Sequence, residues 1–464
     1  MRRPWSAWTP ANVVDMLVEI EWPAEARGYA RLGEEILMKR KNDRSASISV
    51  PVALTAAVLV LLALIAALLL PTTLEAQARS DVLRVGIAVP LSGPTARVGD
   101  ETGKVAEWWA KKVRAEHGVK VEVVVRDTTF KPADAIAAVE RLAEQDKVSA
   151  IAGIWHSSQG VAVVPLIHRL RVPLVLMGSS SPKVMYGDNE TLKDFVWRPS
   201  IDERLKGNLV GAFLIDVVAP KFRHTPKVFY VGEDTEFGRD FLDATRGHIE
   251  KHGKGKLQNV GTPLYHPQNA ATLIAEIAKV RASGAEIIVA APGGAVGALF
   301  TNEFRKLKVP ALDIGYEGGA ATTEYADLAG ENRWGTTFYV YYTPGKPMTA
   351  KTLAWEAEFN KEVPGYKVPS GFSAILWECL ETIRHASQIA GSTDPGKINA
   401  AIPKVKFEGV RNRVVQYDPK THDSTEMFLA MAQYQPGGPG IGFRIVWPDH
   451  VKEAEFFMPN WVKP

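Results

Sequence analysis

Four short stretches place hydroxyls and small residues where a β-rich run gives way to a helical one: Leu91-Ser-Gly-Pro-Thr95, Trp155-His-Ser-Ser158, Gly178-Ser-Ser-Ser-Pro182 and Gly315-Tyr-Glu-Gly-Gly319. Such turns combine hydroxyl donors with the free N–H groups of a helix N-terminus, which together can hold a carboxylate out of water without a buried arginine. Ser157, Ser158, Gly178, Ser179 and Ser180 fall on what read as neighbouring strand ends and would form one anion cradle. Glu317 sits in the fourth turn, flanked by glycines that bring backbone close to any occupant of a cleft. A carboxylate facing a hydroxyl cradle matches a zwitterion gripped at both ends. The same residues also admit plainer roles, Ser157 and Ser180 as helix caps and Glu317 as a solvated loop acid.

Enzymatic arrangements are harder to assemble. The run Ile287 to Ala291 leads into Pro292-Gly-Gly-Ala-Val-Gly297 and a helix, with Asp313 and Glu317 downstream, but Pro292 takes the place of the first glycine of a dinucleotide fingerprint. Neither serine turn has the G-x-S-x-G form of a hydrolase elbow, and no acid orients His156 beside Ser157. The single cysteine, Cys379, excludes an intramolecular disulfide and a cysteine-based zinc cluster, and its helical apolar setting reads as a buried packing thiol. We expect no catalytic residue, no metal and no cofactor.

At 464 residues the chain exceeds what one core supports, so two lobes are the minimum. With 46% apolar and 23% charged residues and a net charge of +3, it has no basic reservoir for nucleic acid. Lys39-Arg-Lys41 and Arg44 precede an uncharged run from Val50 to Leu70, followed by Ala76-Gln77-Ala78. This order predicts a secretory signal over residues 38–78, cleaved after Ala78. The alternative is a retained anchor through 50–70. Met38 makes a better initiator than Met1, so residues 1–37 read as a mis-assigned or disordered leader.

Beyond Asp81, apolar β-rich runs alternate with helical stretches: strand Val82 to Leu91, helix Gly99 to His117, strand Val119 to Arg126, helix Pro132 to Gln145, strand Val148 to Trp155, helix Ser158 to Leu170, strand Val172 to Met177. The rhythm restarts after Ile201, with a helix from Glu203 to Val218, a strand Gln258 to Tyr265, a helix Ala270 to Ala282, and others between. Regular alternation of this kind predicts two parallel sheets, each covered on both faces. After Gly335 the order changes, with helices near Ala350 to Lys361 and Ser373 to Ala390 and strands Val414 to Tyr417 and Phe428 to Gln435.

From Val82 to about Pro448 the chain resembles the type I periplasmic binding proteins of the branched-chain amino acid (Leu/Ile/Val) ABC importers. The resemblance rests on Val85-Gly-Ile-Ala-Val-Pro-Leu-Ser-Gly-Pro94 with Gly99, on Val148-Ser-Ala-Ile-Ala-Gly153 leading to Ser157-Ser158, on Val172-Pro-Leu-Val, and on Phe237-Gly238, in that order. It implies an α/β fold of two Rossmann-like lobes with mostly parallel sheets and a three-strand hinge, with crossings near Ile201, Val340 and Val410. Lobe 1 is then 81–201 plus 341–410, and lobe 2 is 202–340 plus 411–464. It further implies that the turns at His156-Ser157-Ser158 and Gly178-Ser179-Ser180 hold a ligand carboxylate, that Glu317 holds its ammonium, and that a membrane permease is the partner. Val98 and Phe237 stand where that family often carries a ligand-contacting aromatic, and Pro292-Gly293 where a tyrosine is common. An opened pocket at Gly293, lined by Trp155, would admit a solute bulkier than leucine, such as an aromatic or amide-bearing one. If export is followed by cleavage, N-terminal sequencing of the secreted protein returns Arg79 as its first residue; a membrane-bound chain that keeps 50–70 identifies a tethered receptor instead.

Overall fold

The computed structural model describes residues 82–200, 202–316 and 318–462, all within the compact unit Arg79–Pro464. The expected leader, the signal segment, Ile201 and Glu317 lie outside the described residues. In the first sheet, β1 (Leu83–Val89), β2 (Val121–Asp127), β3 (Ala150–Gly153), β4 (Leu174–Leu176) and β5 (Val196–Trp197) run parallel in the order β2-β1-β3-β4-β5. Helices α1 (Ala96–His117), α2 (Pro132–Glu144) and α3 (Ser157–Leu170) make the crossovers. Proline opens α2, where its missing N–H costs nothing, and Gly118 closes α1 in the left-handed region at φ 63°. The chain leaves β1 toward β2 and returns to β3 on the other side, so a crevice opens between the ends of β1 and β3.

The second sheet repeats the pattern. It is built from α4 (Glu203–Phe213), β6 (Lys227–Glu233), α5 (Glu236–His252), β7 (Gln258–Asn259), β8 (Leu264–His266), α6 (Ile274–Ala282), β9 (Ile287–Ala291), α7 (Gly294–Lys306), β10 (Leu312–Gly315), α8 (Thr323–Ala329) and β11 (Thr337–Val340). The single strand expected over 258–265 is two short ones, β7 and β8, both paired with β6. The helix expected to reach Val218 is α-helical only to Phe213 and widens to a π-turn over Leu214–Val218.

After β11 the chain returns to the first sheet as α9 (Thr352–Glu362), α10 (Gly371–Ala390) and α11 (Pro395–Ala401), then adds two antiparallel strands, β12 (Ala430–Tyr434) and β13 (Phe443–Trp447), to the edge of the second. Helix α10 starts at Ser370, whose hydroxyl caps Ser373 N, and packs on α1 with Trp108 and Trp377 4.5 Å apart. Cys379 is buried there and burial pushes its thiol well up, consistent with a packing role. The strand expected at 414–417 is only a pair of isolated bridges, Phe407 to Val415 and Tyr417 to Ser424. Among the described residues no helix is long and apolar enough to cross a membrane.

The third crossing comes later than the position near Val410 read from the sequence. Arg411 and Asn412 bond Glu378 on α10, Tyr417 bonds Thr382, and Asp423 bonds Arg198 beside β5, so 411–424 stay with the first sheet. The Arg411–Glu378 pair has both side chains fully buried, at 3.0 Å. Glu378 also accepts from Arg411 N (2.9 Å) and Asn412 N (3.0 Å), while Arg411 Nη2 reaches Pro199 O at 2.9 Å, next to the first crossing. Truncating one partner strands the other charge in a dry interior. Arg411→Ala is therefore expected to lower unfolding free energy by about 3–5 kcal/mol in urea titration.

Candidate functional site

Register places β3 and β4 side by side, with Gly153 opposite Leu176, so the two serine turns that follow them are neighbours. They are stitched by backbone and side chain alike. Gly178 N donates to Ile154 O (3.1 Å) and Ser179 N to Trp155 O (2.8 Å). Ser179 adopts φ 41°, which turns its Oγ inward to donate to Ile154 O and His156 O, at 3.1 and 2.9 Å. A Cβ on Gly178 would lie 2.4 Å from Trp155 O, so only glycine allows this approach. Ser157 Oγ accepts from Ser181 N at 3.2 Å and keeps its own proton available.

These turns wall a narrow cleft, lined by Trp155, His156, Ser157, Ser158 and Ser180 from the first lobe and by Glu233, Thr235, Phe237 and Gln268 from the second. Trp155 packs edge-on against Phe372 at 5.3 Å, and its buried indole N–H has no hydrogen-bond partner. His156 is buried and its pKa falls to about 4 through desolvation, so the ring is neutral near pH 7. Gln159 spends its amide N–H groups on backbone carbonyls, leaving Oε1 to accept from His156 Nδ1 at 3.1 Å; Nε2 then accepts from Thr95 Oγ1 at 3.2 Å. The ring therefore bridges the ends of β1 and β3.

Opposite the serines, Glu233 is buried, and desolvation first, then the nearby Glu203 charge, push its carboxyl up to about 7. Ser180 is tied to a buried pair on α4: it hydrogen-bonds Glu203 and accepts from Lys206 Nζ at 2.6 Å, with Lys206 3.0 Å from Glu203 Oε1. The two lobes touch across the cleft. Ser158 Oγ accepts from Glu236 N at 3.3 Å, Ser181 donates to Asp240, Lys183 pairs with Glu236 and, at 3.5 Å, with Asp240, and Lys367 pairs with Asp327 at 2.6 Å. This is a closed arrangement.

Of the residues read from the sequence, Trp155, Ser157, Ser158, Ser180 and Phe237 line the cleft together. Gly178 and Ser179 lie behind them as the turn's frame. Val98 is core, packed in the same apolar cluster as Trp155 and Phe237 but outside the lining. Gly293 does not open extra room: its N–H donates to Glu233 Oε2 at 3.3 Å, and a Cβ on the adjacent Gly294 would meet Thr95 Cγ2 at 2.9 Å. Glu233, Thr235, Gln268 and the Glu203–Lys206 pair escaped the sequence reading, although Glu233 does end a strand, the position searched for in the first sheet. The i,i+4 histidines His248 and His252 on α5 have ring centroids 4.7 Å apart with their planes tilted at 44°, and among the described residues no group of three His, Cys, Asp or Glu is arranged to hold a metal.

Known proteins share this architecture. An amino acid binding protein of Pseudomonas aeruginosa is 23% identical over 327 residues, covering 70% of this chain and 83% of its own. Among solved structures, the branched-chain amino acid transporter substrate-binding protein LivJ of Streptococcus pneumoniae, in complex with isoleucine, superposes with TM-score 0.67 at 18% identity over 78% of this chain and 99% of its own. A solute-binding protein of an ABC transporter from Rhodopseudomonas palustris, in complex with 3,4-dihydroxybenzoic acid, gives TM-score 0.67 at 20% identity over 77% and 95%. The model of the family described as "Periplasmic binding protein" matches residues 82–439, and this chain is a member of that family.

Proposed function

We propose that the chain is the extracytoplasmic solute receptor of an ABC importer, which closes on one small carboxylate-bearing solute, an amino acid or a related polar acid, and presents the closed form to a membrane permease. The observation that carries this reading is the cleft itself, where strand-end turns of both sheets converge on one cavity. Isoleucine and 3,4-dihydroxybenzoic acid, the ligands of the two structural neighbours, share a carboxylate. In this chain the cradle of Ser157, Ser158 and the α3 N-terminus, with the unpartnered Trp155 N–H, supplies donors for such a group. Glu317 is assigned to a ligand ammonium by family resemblance alone. The segment 38–78 is the export signal, and the solute leaves chemically unchanged.

The energetics are adequate. Binding near 1 μM needs about −8 kcal/mol. Three or four charge-assisted hydrogen bonds at roughly 1.5–3 kcal/mol each, plus about 1.5–3 for one buried apolar side chain, exceed this before ordering and closure costs are subtracted. Because a ligand that bridges both lobes makes its full set of contacts only when they are closed, it shifts the hinge equilibrium by its differential affinity.

A thermal-shift screen over amino acids, amides and aromatic acids is expected to give at least one solute that raises the melting temperature in proportion to mass action. Ser157→Ala should weaken that solute about tenfold, the loss of one hydrogen bond to a charged group. A panel without any shift, or a shift indifferent to Ser157→Ala, overturns the reading.

A further inference from the structure

At the end of the second lobe remote from the cleft, β6 begins at Lys227 and α5 finishes at His252. Both elements have their other ends at the cleft, where Glu233 and Phe237 line it; the 7 residues of β6 alone span about 20 Å. An open pocket lies at the remote end, walled by Phe222, Arg223, His224 and Thr225 from the turn into β6 and by Gly255 and Lys256 from the turn after α5. Thr225 Oγ1 donates to Gly255 O at 3.2 Å, which ties the two turns together.

Lys221, Arg223, Lys227, Lys254 and Lys256 are all exposed on the segments that build this end, and none of these side chains pairs with an acid among the described residues. The acids on the same elements are engaged elsewhere. Glu286 accepts from His224 Nε2 at 2.6 Å and from Lys227 N at 3.0 Å, Glu250 pairs with Arg246 at 2.9 Å, and Asp216 on the π-turn acts on His248. Lys251 and His252, in the last turn of α5, offset the negative end of that helix, an effect that fades within one turn. The other cations lie beyond it. In a chain whose net charge is only +3, their gathering at one end is a concentration of charge that the composition does not supply by chance.

The character of this end decides its partner. Specific protein interfaces centre on aromatic or aliphatic anchors, but the exposed large apolar side chains among the described residues all lie elsewhere, and Phe222 in the pocket is itself buried. The cations are spread over two turns and a strand start, wider than one soluble phosphate can touch, and the lysines are point charges on flexible stems. Charge without apolar anchors, displayed over a broad exposed end, fits a broad anionic surface. We propose that this end of the second lobe docks on a bilayer carrying anionic phospholipid headgroups, with one phosphate seated between Arg223 and Lys256 and the other lysines over its neighbours. Each such cation strengthens the attachment about fivefold. The cleft lies at the opposite end of β6, so docking leaves it accessible, and the inference holds whether or not the cleft is a solute site.

The test is co-sedimentation of the exported chain with vesicles of phosphatidylcholine alone and with about 30% phosphatidylglycerol. The quantity read is the increment between the two, which does not depend on whether 50–70 is retained. Wild type should bind the anionic vesicles at least about tenfold more strongly at about 0.05 M salt, and the increment should vanish by about 0.5 M, where surface charges are screened. The triple variant Arg223→Gln, Lys254→Gln, Lys256→Gln should lose about a hundredfold in binding, whereas Lys397→Gln, Lys404→Gln, Lys406→Gln, with the same change in net charge at another exposed site, should stay within about twofold of wild type. The wild-type increment and its salt dependence decide the matter even if a variant folds poorly. No increment, an increment that survives high salt, or an equal loss in both triples overturns the inference. Inorganic phosphate that raises the melting temperature of wild type but not of the first triple, without any vesicle increment, marks a site for a small soluble anion and overturns it as well. The solute screen is untouched by each of these outcomes.

Discussion

Taking a charged group out of water costs several kcal/mol unless its lone pairs and N–H groups are met, and the cleft is organised around that cost. Its rear is saturated: Ser179 spends its hydroxyl on two carbonyls of the neighbouring turn, and His156 is bonded through both ring nitrogens. Its face is left incomplete. The Trp155 N–H has no partner, and Ser157 has accepted a hydrogen bond while its proton remains to be given.

The same cost explains why the lobes behave as bodies and the cleft as a hinge. Buried pairs lie within the lobes and at their crossings: Lys206 holds Glu203 on α4, Arg198 is held by Asp202 and Asp423, and Arg411 by Glu378, with neither guanidinium exposed. Breaking such pairs costs about 3–5 kcal/mol. Ion pairs across the cleft are of another kind: in the Lys183–Glu236 pair the side chains are 54% and 31% exposed, and ion pairs of this sort contribute about 0–1 kcal/mol. Those ion pairs alone do little to hold the lobes together.

Much of this was legible because parallel sheets write themselves plainly. Strands buried on both faces read as unbroken apolar runs, and strand-end turns must carry small residues and hydroxyls; β3, β4 and their serine turns follow that grammar, as do the five cleft residues found from it. What failed was whatever depends on partners far along the chain. Glu203 reads as an ordinary first-turn acid until Ser180, 23 residues earlier, is found against it, and Glu233 as a strand-end acid until Gly293 N, 60 residues later, is found on its carboxylate. Next to Pro292-Gly293, where the pocket was expected to open, Gly294 lies against the Pro94-Thr95 turn of the other lobe, a contact no local pattern encodes. Three consecutive serines cannot announce that the first one turns inward, since that depends on the φ of 41° that Ser179 adopts against the neighbouring turn.

The division between local and distant partners is also a division of labour within the cleft. Donors on the first lobe come from turns and helix N-termini that the doubly wound sheet creates wherever its strands end, so an affinity for carboxylates follows from the fold with few specific side chains. The second lobe's contribution is instead a small set of buried charges, Glu233 with Glu203 and Lys206, whose balance is set by individual residues. A neutral side chain in place of one carboxylate or of the ammonium changes the local charge by one unit without disturbing a strand. The first lobe's wall of the cleft is thus a property of the architecture, and the second lobe's a property of a few side chains opposite.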